Sequence, residues 1–565
     1  TNDFQAIRLT HDFANKEYVN KGILLTVYGT KGKKYYMSAA GYRTDASGMK
    51  NSKGSIKVIT NVDWQGSEFV VDDGNTNNQT NMKDTDIEHP LFEITSPMRF
   101  AGSFAYSMDK YITEKSLDNC CATKKCKINS KDVESEVWKK FPKITRSTKN
   151  IKSFVTFFKN SSSVSKKYKP YYTSSQRWVV EIYNCNSQYI RKGVNSDTGV
   201  CQNEMLVVDS NSGDILTDVN WDYDDYSRIN IYPIPDETIS VKNATFTTRT
   251  NNKVYNEQGL RNKYTHRGIR ASYTGNVNIF GIEHFLDETY HSSKVNKKYQ
   301  SISNGNTYYG FIELFHSSYV DIKDTKLAQH TPAHIYKSGK ELASSYNGTY
   351  DLIIDYSTNV NLDNVVYSCN IYKNGSKDYN TCYKNNMLKP SSKKWGIMAS
   401  NSAKNVKIAN SKLSRIDSHR GITNLYVSNS VVGQKGFTLI GKGKLYVDNV
   451  KVDRASTLLN LRSDYGSAWN GTMYFNNINY VLDKDTTSPR IIASNNSEDH
   501  YFGYYSYFPE IYLNSLTIDS SRLTQKQQLS LLNFSNSLSS NFTKNSAYYL
   551  NKDIYISNIK SNSSK

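Results

Sequence analysis

The chain has 565 residues, with 71 Lys and Arg against 52 Asp and Glu, for a net charge of +19. Mean hydropathy is -0.64, yet 44 Tyr and an aromatic share of 13% exclude an intrinsically disordered chain, which would be poor in aromatics. No apolar run approaches the roughly 18 residues of a membrane-spanning helix, and the opening TNDFQAIRLTHDFANK lacks the basic and apolar regions of an export signal.

A basic chain attracts polyanions over long range. Nucleic acid is one class. An anionic cell-surface polymer such as teichoic acid is another, with the same charge pattern but no bases. The basic residues are scattered, without zinc-finger spacing, an RNP-like run or a basic helix joined to heptads, so nucleic acid is not the expected partner. Cys120, Cys121, Cys126, Cys185, Cys201, Cys369 and Cys382 are odd in number and suggest no disulfide framework. NCCATKKC lacks the paired CxxC and His of a zinc site, so these residues are expected to be loop or small-core thiols, reduced in the cytoplasm where the chain is made. His330 and His334 have the spacing of a helical metal pair, but Pro332 between them argues against a helix, and no metal or other cofactor is expected.

In chain order, residues 1–104 are expected to form a cap and the first coils of a larger architecture. Ala6, Ile7, Phe13 and Ala14 share a helical face after Asn2 or Asp3 as N-cap, and strands follow around ILLTVYG, KKYYMSA, SIKVITNVDW and SEFVVDD. Residues 105–180 are Lys- and Ser-rich with weak periodicity and are expected to be an inserted subdomain or excursion.

Residues 181–520 carry a repeat. An apolar residue, a spacer, Asn or Asp, then a small or apolar residue recurs at Val241, Ile322, Leu362, Ile408, Val427, Val447 and Phe475, with a weaker copy at Ile279 and a further copy beyond this range at Ile556. The spacing tightens to 19 and then 20 residues between Ile408, Val427 and Val447. That period suits one coil of a right-handed parallel β-helix: a brief strand points apolar residues inward, and Asn accepts the left-handed turn. The wider spacings of 40 and 46 residues after Ile322 and Leu362 mean two coils, or one coil with a long loop. An antiparallel sandwich would show hairpin turns more often than this chain does. Residues 521–565 are expected to be a distal segment with LTQKQQLSLLNFSNSL as a helix.

Several stretches go further. VDWQGSEFVVDD (62–73) resembles the second N-terminal strand pair of phage tail-spike β-helices. KWGIMASNSAKNVKIANSKLSRIDSHRGITNLYVSNSVVG (394–433), LIGKGKLYVDNVKVDRASTLLNLRSDYGSAWNG (439–471) and YIRKGVNSDTGVCQNEMLVVDSNSGDIL (189–216) resemble the pre-neck appendage or tail-spike proteins of small podoviruses and related prophages that infect Gram-positive bacteria. The resemblance spans most of the chain outside 105–180 and the C-terminal tail. It implies a homotrimeric spike on the virion tail, bound to tail or collar proteins, that binds and degrades wall teichoic acid at the host surface during adsorption. Those appendages also carry C-terminal chaperone or carbohydrate-binding modules, which are not evident here.

Strand alternation in SRIDSHRG places Arg415, Asp417 and His419 on an outward face with Ile416 inward. LNLRSDYGSAWNG repeats the alternation with Arg462 and Asp464 two coils higher, roughly 10 Å away. For a phosphodiester, an Asp or His moves protons while Arg stabilises charge on phosphorus. The expected catalytic set is therefore Asp417, His419, Asp464 and Arg462, with Arg415, Glu313, Asp351, His330, Arg420 and Tyr465 contacting substrate. As outward residues, these are expected to be replaceable without loss of fold. A glycoside would need only a carboxylate pair, drawn from Asp417, Asp464, Glu313 and Asp351. A capsule-degrading glycosidase or lyase and a binding-only adhesin are the rival readings. The Tyr runs YYGF (308–311) and HYFGYYSYF (500–508) suit core, trimer contact or sugar stacking.

Overall fold

The structure is a computed structural model and describes residues 3–38, 55–72, 90–97, 106–107, 142–160, 174–190, 200–226, 228–249, 253–254, 268–287, 299–302, 309–328, 333–337, 340–345, 349–367, 371–373, 376–378, 394–400, 402–433, 436–462, 469–484, 486–494, 506–523, 527–534, 548–550 and 553–562. The chain is a parallel β-helix. Its rungs lie in one unbroken register: Val62, Val241, Ile279, Ile322, Leu362, Ile408, Val427, Val447, Phe475, Leu513 and Ile556 are successive Cα partners in parallel strands. Every position of the sequence repeat is in this column. Leu513 is a rung the repeat missed, because Ser515 occupies its turn where the others carry Asn, Asp or Gly.

The turn explains the repeat. Two residues after each rung from Val241 onward, Asn243, Gly281, Asp324, Asn364, Asn410, Asn429, Asn449, Asn477, Ser515 and Asn558 have φ between 46° and 65°. An L-residue pays for this left-handed backbone unless it is Gly or a short polar residue that bonds locally. The side chains then ladder: Asn449 Nδ2 donates to Asn429 Oδ1 at 2.8 Å, and Asn477 Nδ2 to Asn449 Oδ1 at 3.1 Å. A second corner is formed by Asn359, Asn405 and Asn424, with amide bonds of 3.2 and 3.0 Å between coils.

These corners divide each coil into three faces. The first carries the inward column Ile56, Phe92, Ile269, Ile312, Leu352, Ile397, Ile416, Phe437, Leu459 and Ile492, continued in register by Leu532, which is exposed at the last coil. The second carries the rung column, and the third follows the Asn turn through residues such as Val432, Val452 and Tyr480. Ile322 pairs directly with Leu362, and Leu362 with Ile408, so each long spacing is a single coil with an excursion. Among the described residues, all sheet pairings within 403–483 are parallel.

The first end is closed by the helix Phe4–Lys21, terminated by Gly22 at φ 69°. Its buried residues are Phe4, His11, Ala14 and Asn15, whereas Phe13 is 63% exposed and Ala6 is also exposed. The expected apolar face is therefore rotated. The face that closes the solenoid includes two polar residues: Asn15 Nδ2 donates to the Lys57 carbonyl at 2.8 Å and its Oδ1 accepts from the Ile59 N–H at 3.2 Å. Asp3 stands at the N-cap without a side-chain cap bond, because its carboxylate accepts from the Tyr36 N–H at 2.8 Å. His11 meets Phe92 edge-on at 5.7 Å, above a cluster of Trp64, Phe69, Phe92 and Phe246.

The stack is interrupted after Phe92–Thr95 and resumes at Ile239–Arg249. Between them, the strands Tyr106–Ser107, Arg177–Ile190, Val200–Asp209 and Arg228–Ile234 form an antiparallel sheet, covered by the helix Lys152–Asn160 through Phe154, Val155 and Phe158. The inserted unit thus runs past the expected boundary at 180, because Arg177–Ile190 pairs with its own hairpin partner and with Arg228–Ile234 instead of a coil. At the distal end, Ser530–Phe534 pairs with Arg490–Ser494 and Ile554–Ser561 with Glu510–Arg522. Part of the expected C-terminal helix is therefore a strand of the stack. Cys201 is disulfide-bonded, which corrects the free-thiol expectation at that position.

The Asn turns predict a substitution pattern. Asn449→Val should cost about 1–2 kcal/mol in a denaturant titration, the usual penalty for a left-handed L-residue, and Asn449→Gly much less. Equal effects would show that side-chain laddering, and not backbone conformation, selects Asn.

His11 predicts a pH response. It is buried, with no hydrogen-bond partner for either ring nitrogen among the described residues, and burial lowers its pKa from 6.5 to about 4. The folded state disfavours the proton, so stability is complete above pH 6.5 and declines as pH falls towards 4, by about 2 kcal/mol at pH 5. Asp12 acts in the opposite sense at lower pH, since burial raises its carboxyl. Amide protection factors in residues 4–21, that is, rates corrected for the intrinsic pH dependence of exchange, should fall between pH 7.5 and 5, and His11→Leu should remove that fall.

Candidate functional site

The first face positions the residues singled out in sequence. Asp417 lies in the two-residue strand Ile416–Asp417, in register with Met398 one coil below and Thr438 one coil above, followed by Asn460. Ile416 points inward as expected, but Asp417 is fully buried instead of solvent-facing. Its cover is polar. Arg415 Nη2 and the Tyr350 hydroxyl both donate to Asp417 Oδ2, the latter at 2.7 Å, and Arg462 Nη1 donates to Asp417 Oδ1 at 2.6 Å.

The two clusters read separately from sequence are therefore one. Arg462 follows Leu461, anchors its own N–H on the Leu439 carbonyl at 3.0 Å and sends its side chain down two coils. Tyr350 comes from the opposite direction. It is paired with Gly396, and Gly396 sits beside Arg415: a Cβ there would lie 2.1 Å from the Arg415 carbonyl oxygen. With no side chain at the intervening coil, the phenol reaches Asp417, and Arg415 lies over its ring at 5.9 Å. Sequence reasoning missed Tyr350, since one Tyr among 44 gives no signal until the register is known.

The side chains of Arg415 and Arg462 are 10% and 11% exposed. His419 and Arg420, which follow Asp417 in the chain, are half-buried. His419 does not continue the strand alternation, because the strand ends at Asp417 and Ser418 turns to exchange hydrogen bonds with the backbone of Ile440, each 2.7 Å long. Asp464, Tyr465 and His330 lie outside the described residues. Asp417 has its oxygens committed to two guanidiniums and a phenol, so it holds the arginines in place and is poorly arranged to move a proton.

Glu313 and Asp351 are elsewhere on this face. The outward column below Asp417 reads Met398, Ile353, Glu313, Arg270, Glu93 and Lys57. Glu313 is therefore three coils from Asp417, about 14 Å along the axis. It pairs with Arg270 at 3.1 Å, and Lys57 pairs with Glu93. Burial opposes the charge on Arg270, but Glu313 and Glu93 outweigh it and raise its pKa. Glu93 and Glu313 are two coils apart, roughly 10 Å, near the carboxylate separation of an inverting glycosidase. Each is already bound to a cation. This is the arrangement of an ion-pair ladder, not of an acid and a base with a glycosidic oxygen between them. Asp351 is half-buried.

No protein-family model matches the chain, and no curated protein matches its sequence. Among solved structures it is similar to the tailspike gp61 of Pseudomonas phage phi297, at 11% identity over 97% of this chain and 67% of that one, with a TM-score of 0.48. The tailspike gp49 of Pseudomonas phage LKA1 is 7% identical over 94% of this chain and 71% of its own, with a TM-score of 0.44. PfbA, a surface adhesin of Streptococcus pneumoniae, is 9% identical over 99% of this chain and 90% of its own, with a TM-score of 0.34. Likenesses of this size assign no activity, and the fold rests on the register of its own strands. Among the described residues no group of His, Cys, Asp or Glu is arranged to hold a metal ion, and no helix is long and apolar enough to cross a membrane.

The buried position of Asp417 reverses the expectation that it can be replaced without structural cost. Removing one partner of a buried pair typically costs about 3–5 kcal/mol because the remaining charge is left without its counterion. Asp417→Ala should lower the denaturation midpoint by a corresponding amount, and a variant as stable as the parent would mean that water already reaches the two guanidiniums.

Proposed function

We propose that the chain is a phage tail spike that binds wall teichoic acid at the host surface and cleaves its phosphodiester backbone during adsorption. The observation that carries this reading is the convergence of Arg415 and Arg462 on Asp417, across the two stretches that resemble Gram-positive phage appendages. Two guanidiniums braced by one carboxylate suit a phosphate, which Arg recognises with a planar fork. The net charge of +19 favours encounter with a polyanion.

In this reading the expected roles are redistributed. Arg415 and Arg462 bind the phosphodiester and stabilise charge gathering on phosphorus, and Arg420 extends the cationic edge. Asp417 and Tyr350 position the two arginines. His419 takes a proton from water or a neighbouring hydroxyl as its oxygen attacks phosphorus. Asp464, in its acid form, protonates the departing oxygen. The spike is a homotrimer on the virion tail, joined to tail or collar proteins and made in the host cytoplasm.

Purified protein incubated with wall teichoic acid should release phosphate esters, and with host capsule no sugar reducing ends. His419→Ala should slow release by roughly a hundredfold or more, and Arg462→Lys should weaken turnover through loss of the fork, both with the fold retained. Reducing ends from capsule would favour the glycosidase reading. Cell-wall binding without any product would leave a binding-only adhesin.

A further inference from the structure

The second face carries a feature that the phosphodiester site does not use. Tyr426, Tyr446, Tyr474, Tyr512 and Tyr555 are successive Cα partners in one outward column, one tyrosine per coil. Tyr474 and Tyr512 stack at 5.0 Å and 11°, and Tyr512 and Tyr555 at 4.7 Å and 10°. Tyr446 and Tyr555 are 40% and 46% exposed.

Stacking along the axis covers the ring faces and turns edges and hydroxyls outward. The hydroxyls are oriented: Tyr512 donates to Glu510 Oε1 at 2.8 Å and Tyr555 to Asp553 Oδ2 at 3.1 Å. The Glu510 bond pushes the Tyr512 phenol up to about 12, so it stays protonated while its oxygen remains an acceptor. Tyr446 accepts from Asn476 Nδ2 at 3.0 Å. Beside the tyrosines runs a second column, Ser428, Asp448, Asn476, Asn514 and Ser557, in the same register, with Asn514 Nδ2 donating to Asn476 Oδ1 at 3.0 Å. Asp448 alone among these ten residues is charged; at flanking positions Glu510 and Asp553 add carboxylates, and Lys444 and Lys407, the partner of Tyr426 one coil below, add two cations. On a chain of net charge +19, this strip is neutral to acidic.

We infer that this strip binds a neutral, extended glycan. Hydroxyl and amide groups repeating at about 4.8 Å match a ligand that offers hydroxyls periodically along its length. Three nearby carboxylates against two lysines leave the strip without the excess positive charge that a polyanion would need. The strip lies on a different face from Arg415 and Arg462, so it would hold an uncharged wall or capsule chain beside the teichoic acid.

The test measures binding of chitohexaose and cellohexaose, with a glycerol-phosphate oligomer as the anionic comparator, to the full chain and to the double variant Tyr474→Phe with Tyr512→Phe. Phenylalanine keeps the stack and removes the hydroxyls. The parent should bind at least one neutral hexamer in preference to the anionic oligomer, and the variant should bind roughly tenfold more weakly for two lost hydrogen bonds. Melting temperature and sedimentation coefficient should be unchanged. A preference for chitohexaose would assign the Asn column to acetamido groups. Failure of the parent to bind either hexamer, preference for the anionic oligomer, or equal binding by the variant would overturn the inference. A lower sedimentation coefficient in the variant would also overturn it, by identifying the strip as an interface between copies. Release of phosphate esters from teichoic acid by the same variant reports separately on the arginine site.

Discussion

A solenoid coil closes only if the backbone can turn inward sharply without leaving the strand register, and here that turn is made by one residue in a left-handed conformation. Its recurrence from Asn243 to Asn558 sets the distance between the second and third faces, and so the width of the core that Val427, Val447 and Phe475 fill. Because each turn leaves the next strand parallel to its predecessor, a side chain in any outward column has its neighbours about 4.8 Å above and below. Both the ion pairs of the first face and the tyrosine column of the second are products of that spacing. They would not exist as clusters in a fold with less regular corners.

The left-handed turns also determine how much of the molecule is readable from sequence. Few residues tolerate that backbone, so Asn and Asp mark the coils and the rungs can be counted; the count failed at Leu513, where Ser515 leaves no such mark. The outward side chains are constrained far less. Asp417 and Arg462 are 45 residues apart and Tyr350 is 67 residues from Asp417, and only the full register, with Gly396 leaving room, brings them together. The burial of Asp417 was therefore illegible, although its facing was right. The tyrosines show the same limit: adjacent Tyr runs draw attention in a sequence, whereas the column is built from single residues one coil apart. At the N-terminal helix an apolar criterion chose Phe13 and passed over His11 and Asn15, because packing against the coil end uses backbone hydrogen bonds as well as apolar contact.

The inserted unit is fixed to the coils by buried polar pairs as well as by apolar contact, with Tyr273 buried in its hydrophobic cluster and Phe315, Tyr319 and Tyr356 packed against it. Glu181 pairs with His316, and Lys404 donates to Glu204 at 2.6 Å and to the Asp218 carbonyl. His316 is itself held between Tyr273 and Tyr356, in parallel stacks of 4.5 and 4.6 Å, all three residues having left-handed backbone. Lys442 donates to the Asn220 carbonyl at 2.6 Å and lies 3.6 Å above the Trp221 ring, where burial lowers its pKa to about 8. Buried pairs of this kind add little net stability compared with apolar packing, but they strongly penalise any misplacement. The unit therefore has one seat on the solenoid.

The position of that unit in the chain also imposes an order on synthesis. The strands of the first coils, Asn61–Asp72 and Phe92–Thr95, are completed by Ile239–Arg249 and Ile269–Asp287, which emerge from the ribosome only after the whole insertion has been made. At typical elongation rates that interval is on the order of ten seconds. Throughout it the nascent solenoid is sealed on one side by its helix and has an unpaired parallel edge on the other, the kind of edge that recruits strands from neighbouring chains. Ribosomes translating the same message in a cluster would hold several such edges close together, so the interruption that carries the inserted unit also leaves the first coils exposed to strand exchange between nascent chains.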